Sequence, residues 1–129
     1  MNQSNKTKLK FLYRQLNRIQ EEINMYEKLL KNEDRIPEII FNLSQFTPYD
    51  YTEIISRNHN NIDLAMYRAM IWKVLSDEFN FKHTAIIKHF FHKNRSTISN
   101  GIIKINDLLL FYKDIEEIYN GLKSQVNNV

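Results

Sequence analysis

The sequence predicts an all-α chain: a long, coiled-coil-like N-terminal helix followed by a compact multi-helix domain. Three observations carry this. Only two glycines and two prolines occur in 129 residues, so little interrupts a helix. Apolar residues recur at spacings of three and four, the period of one helix face. Polar residues suited to N-caps stand just ahead of several of those apolar runs.

The first helix is expected from about residue 5 to residue 34, within a segment of residues 1–35. Leu9, Leu12, Leu16, Ile19, Ile23, Tyr26 and Leu30 alternate spacings of three and four, the seam of a coiled coil, with lysines and glutamates on the other faces. With Leu9 at heptad position a, Glu22 falls at g and Glu27 at the next e, so a parallel homodimer would set two glutamates against each other. An antiparallel pair, or docking on the rest of the chain, avoids that contact.

Residues 36–129 form the second expected domain. Pro37 opens a helix reaching about Gln45, with Ile39, Ile40 and Leu43 inward. Thr47 and Pro48 read as an N-cap and first helical position, with Asp50 complementing first-turn amides, for a helix over about 48–56. After a polar loop at 57–61, Asp63 caps or opens a helix to about Phe79. Its wide apolar arc runs through Ala65, Met66, Ala69, Met70, Trp72, Val74 and Leu75 and marks a buried scaffold, with Trp72 as a core anchor. A polar turn at 80–82 then leads to a short helix from Thr84 to about Phe91. A break at His92 and Lys93 follows, and Asn94 is placed to cap a helix carrying Ile98, Ile102, Ile105 and Leu109 inward.

Charge singles out this last region. The net charge is only +3, yet from Phe79 to Asn106 there is no acidic residue, while Lys82, Lys88, Lys93, Arg95 and Lys104 all fall inside. The outward face of the capped helix would carry Arg95, Ser96, Ser99 and Asn100, with Thr97 on its flank. A short helix, a turn and a second helix form a helix-turn-helix, whose second element can enter a DNA major groove about 12 Å wide by its N-terminal end. Arg95 would address guanine, Asn100 or Thr97 an adenine or a thymine methyl, and Asn94 and Ser96 complete the candidate base-contact set. Lys82, Lys88, His92 and Lys93, with Arg57 and Arg68, are the candidate phosphate contacts. The bland counterpart is a solvated basic helix end.

The stretch YRAMIWKVLSDEFNFKHTAIIKHFFHKNRSTISNGIIKI, residues 67–105, resembles the C-terminal DNA-binding domain of the bacterial replication initiator DnaA, of the Trp-repressor-like helix-turn-helix type. Arg68, Met70, Ile86, Phe90, Thr97, Ile98, Lys104 and Ile105 fall, without a gap, where that family's signature has the same or a similar residue. The upstream LSQFTPYDYTEIIS is similar to the family's preceding helix pair. The resemblance runs from about Pro37 to Lys123, about two-thirds of the chain, and implies double-stranded DNA binding. The family's base-reading Arg-Asp-His-Thr-Thr motif becomes Lys93, Asn94, Arg95, Ser96 and Thr97 here. Its two glycines become Phe91 and His92, and its arginine-rich stretch thins to Arg57 and His59.

Several chemistries are not expected. No GxxxxGK[ST] phosphate loop occurs, and the glycines stand only at 101 and 121, so neither a nucleotide cofactor nor ATPase activity is foreseen in this chain. His83, His89 and His92 lack a further ligand for a zinc site, so no metal is expected, and phosphate facing is a simpler use for them. No nucleophile with a partnered base is visible, and the chain reads as a non-enzyme. Cysteine is absent, the N-terminus lacks a secretory apolar run, and the longest apolar run, Leu108 to Tyr112, is far below a membrane span. A cytoplasmic DNA-binding protein is the expectation, a small transcriptional regulator or replication accessory, with a homodimer through the first helix as a candidate partner. The alternative is a helical adaptor whose heptad seam is the working surface.

Overall fold

The computed structural model describes residues 3–57, 60–92 and 94–128, and every regular element in it is helical. His59 and Lys93 lie outside the described residues, as does the side chain of Leu30. The chain divides into two compact units, Met1–Asp34 and Arg35–Val129. Among the described residues no helix is long and apolar enough to cross a membrane.

The first unit is one helix, α1 (Gln3–Glu33), of 31 residues. Its seam residues Leu9, Leu12, Leu16, Ile19, Ile23 and Tyr26 are 40 to 61% exposed.

Among the described residues the second unit holds six helices: α2 (Ile36–Ser44), α3 (Tyr51–Ile55), α4 (Ile62–Asp77), α5 (His83–Ile86), α6 (Arg95–Phe111) and α7 (Lys113–Lys123). Single 3₁₀ turns follow α5 and α7. In α2, Pro37 sits in the first turn, where its missing N–H is harmless, and Ile36, Ile39, Ile40 and Leu43 are fully buried.

The next start differs from the expected one. Thr47 does not cap a helix; its hydroxyl accepts from the Tyr49 amide at 3.1 Å and lies 2.8 Å from the Ser44 carbonyl, making a local turn. The cap is Asp50, which forms a reciprocal box with Glu53: Asp50 Oδ1 accepts from the Glu53 amide at 2.9 Å, and Glu53 Oε1 accepts from the Asp50 amide at 3.3 Å. Satisfying two donors at once outweighs the single bond that Thr47 could offer. Helix α3 therefore starts at Tyr51.

Helix α4 is capped by Asn61, whose side chain accepts from the Leu64 amide at 3.1 Å. Asp63, expected to cap or open this helix, sits in its first turn and accepts from the Tyr49 hydroxyl at 2.8 Å. Residues 68–72 are all buried, as are Leu64, Val74 and Leu75, so the middle of α4 is covered on every face and scaffolds the unit. It packs on α6 most extensively, and also on α2, α3, α5 and α7. Three residues past its end, Asn80 has a φ of 59°, the left-handed conformation that asparagine tolerates among non-glycine residues. The Phe81 amide then reaches back to the Leu75 carbonyl at 3.1 Å.

The short helix is shorter than the sequence suggests: α5 covers His83–Ile86, and a 3₁₀ turn over Ile87–His89 carries the chain to an extended Phe90. Beyond α6 a feature appears that no glycine or proline announces. Tyr112 turns extended at φ −125°, ψ 106°, separating α7, whose Tyr119 and Leu122 return to the core.

Candidate nucleic-acid interface at the start of α6

Three inward residues fix where α6 begins. Ile98, Ile102 and Ile105 are buried against the scaffold, which turns the opposite face of the first turns outward. Asn94 is extended, with φ −134° and ψ 129°, and its Oδ1 accepts from the Ser96 amide at 3.0 Å. That is the expected cap, and it leaves the helix's positive end at the surface. Asn94, Arg95, Ser96 and Asn100 are exposed, and Thr97 is half-buried.

Trp72 holds the turn that aims this end. Its ring meets Phe90 edge-on at 5.5 Å between centroids and His92 edge-on at 5.3 Å. On the α6 side it fills the space beside Gly101, where a Cβ would lie 2.8 Å from two Trp72 ring carbons. The turn is also tied to α3, because the Phe91 amide donates to the Ile55 carbonyl at 3.0 Å. Trp72 Nε1 is buried without a hydrogen-bond partner, so the ring's position is set by packing.

A histidine bridge joins α4, α5 and α6. His83 Nε2 lies 3.1 Å from Ser76 Oγ, and His83 Nδ1 lies 2.8 Å from Ser99 Oγ. In either neutral tautomer one hydroxyl donates and the other accepts, so both ring nitrogens are satisfied. Ser99, expected to face outward, is half-buried and engaged in this bridge. The sequence offered only a weak signal for it, three polar residues too far apart to suggest a meeting.

Two of the expected phosphate contacts move elsewhere. Arg68 is 2% exposed; its Nε donates to the Ile54 carbonyl at 2.7 Å, and its Nη2 lies 3.3 Å from both the Glu53 carbonyl and Ser56 Oγ. The Ile54 and Glu53 carbonyls stand at the C-terminal end of α3, where the Glu53 carbonyl also accepts from the Ser56 amide at 3.2 Å, and a buried guanidinium beside them adds to their hydrogen bonding and complements the helix dipole. Burial pulls the Arg68 pKa below its ordinary value. His92 is buried against Trp72, not turned to solvent. Both are structural residues of the turn and its support.

The remaining described cations stay outside. Arg57, Lys82, Lys88, Arg95 and Lys104 are exposed. A cleft of about 510 Å³ is lined by Lys82, His83, Thr84, Arg95 and Ser99, two cations and three hydrogen-bonding side chains with no carboxylate. On the other flank of α6, Thr97, Asn100 and Lys104 line a groove of about 450 Å³ whose walls include Met66, Trp72 and Leu108. Several acidic groups of this unit are engaged away from α6. Asp50 and Glu53 form the box, Asp63 takes the Tyr49 hydroxyl, Asp77 pairs with Lys73 at 2.6 Å and Glu78 with Lys123 at 3.5 Å. The Asp63 hydrogen bond, followed by burial, pushes the Tyr49 pKa upward.

Compared with known protein families, with curated proteins and with solved structures, the chain matches none.

Proposed function

We propose that the protein binds double-stranded DNA by inserting the N-terminal turns of α6 into the major groove, acting as a small regulator of transcription or an accessory of replication. One observation carries this reading: the capped, exposed start of α6 lies within a stretch of sequence free of acidic residues and presents Arg95, Ser96 and Asn100 beside the cationic cleft. Phosphate oxygens would be met by Lys82, Lys88, Lys93 and Arg57, and base edges by Arg95, Thr97 and Asn100. The resemblance to the DNA-binding domain of DnaA points the same way. Because the family's motif is changed at Asn94 and Arg95, a target sequence different from that initiator's is expected.

Selection of bound duplexes from a random pool tests this directly. A recovered consensus that Arg95→Ala relaxes supports the reading, and no enrichment over a poly-anion control would refute it. A second reading, a helical adaptor, is favoured by the exposed seam of α1. The two separate on salt, since DNA affinity falls by about 0.9 log units per decade of salt for each phosphate contact, whereas contact through an apolar seam changes little.

A further inference from the structure

We propose that α1 pairs antiparallel with α1 of a second copy of this chain, an inference independent of what α6 binds. The charge order along the helix decides the orientation. Residues 3–18 carry Lys6, Lys8, Lys10, Arg14 and Arg18 and no acid, while residues 19–33 carry Glu21, Glu22, Glu27 and Glu33 against Lys28 and Lys31. This order opposes the helix's own dipole, which favours acids at the N-terminus and bases at the C-terminus. The pattern is therefore unfavourable for a solitary helix and finds its complement in a neighbour running the other way.

The seam gives the register. Antiparallel layers pair a positions with d positions, and two symmetric registers each close three such pairs; pairing Leu12 with the partner's Leu30 sets Glu22 against the partner's Glu22, which leaves the register of Leu9 with the partner's Tyr26, Leu12 with the partner's Ile23, and Leu16 with the partner's Ile19. In that register Lys6 flanks the partner's Glu27 at both ends, and Tyr13 flanks the partner's Gln20. Parallel pairing instead puts Glu22 against the partner's Glu27 twice, with no attractive pair to offset it. The seam side chains that would be covered are 40 to 61% exposed in the single chain, and α1 makes no salt bridge among the described residues.

The absence of cysteine from the 129 residues allows a direct test with this whole chain. Sedimentation at submillimolar concentration is expected to show a dimer. The variants K6C and E27C, mixed and treated with a short bismaleimide linker, are expected to give the mixed cross-linked product well above either homogeneous one. In a parallel pair positions 6 and 27 would stand about 31 Å apart along the axis, out of the linker's reach. Combining K6E with E27K in one chain should recover about tenfold of the dimer affinity that the two single changes predict additively, because the attractive contacts re-form with reversed sign. A monomer, cross-linking of like positions only, or strict additivity would each overturn the proposal.

Discussion

Arg68 illustrates how a side chain's role depends on contacts that the sequence does not display. In the sequence it is one more cation near a basic region and matches a position of the DnaA-like signature; in the fold its guanidinium closes the end of α3. The pairing spans 14 residues, and local pattern carries no information on it. Arg68→Met should therefore lower stability by about 2 to 4 kcal/mol, removing the donor to the buried Ile54 carbonyl, as measured by urea unfolding. On the DNA-binding reading proposed above, any loss of DNA affinity should track the unfolded fraction alone. Arg95 gives the opposite result: Arg95→Ala is expected to leave unfolding unchanged while costing about 1 to 3 kcal/mol on the preferred duplex and relaxing base preference, read by titration of matched and mismatched sites. Asn94, by contrast, was legible from sequence alone, because a cap acts on amides two or three residues away and needs no distant partner.

At the scale of elements, most helices follow from spacing and caps, and the discrepancies share one cause. Helix α3 starts later than Thr47 and Pro48 suggest because the Asp50–Glu53 box competes better for the free amides. Helix α5 is shorter than its apolar run because Phe90 leaves the helix to reach Trp72. The break at Tyr112 lets Tyr119 and Leu122 reach the core, so tertiary packing overrides a local preference to continue. Gly101 stands mid-helix, where glycine is unfavourable, and that oddity is the sequence trace of a close approach. Gly101→Ala is expected to destabilise by about 1 to 3 kcal/mol despite alanine's better helix propensity, since the methyl would overlap the buried Trp72 ring. A changed Trp72 fluorescence maximum together with a lowered midpoint would confirm it; a more stable variant would refute it. Helix α7 adds a pH effect. Burial, then Asp77 and Glu78, hold the Tyr119 pKa well above its usual value near 10. A raised folded-state pKa contributes stability present below pH 10 and lost as the pH climbs above it, so Tyr119→Phe should flatten the alkaline decline of the unfolding midpoint.

For the whole molecule, the two units answer to different forces, and salt separates them. The buried hydrophobic core draws all its members from residue 36 onward, so the second unit has what it needs to fold without α1. On the reading proposed above, the phosphate contacts narrow to Lys82, Lys88, Lys93 and Arg57 once Arg68 and His92 are assigned to the interior. Four contacts on each chain imply a slope of log affinity against log salt of about −3.6 per bound chain, and Lys88→Ala should bring it to about −2.7 per chain while weakening all duplexes alike. Six contacts on each chain, as the sequence alone suggests, would give about −5.4, so the measured slope per chain tests whether Arg68 and His92 stay buried on DNA. The same titration on a chain lacking residues 1–34 extends the argument. A paired α1 would bring two copies of the second unit to one duplex, and its removal should then halve the slope per bound complex without altering the base preference set by Arg95. A slope unchanged by the deletion would mean that each chain engages DNA alone.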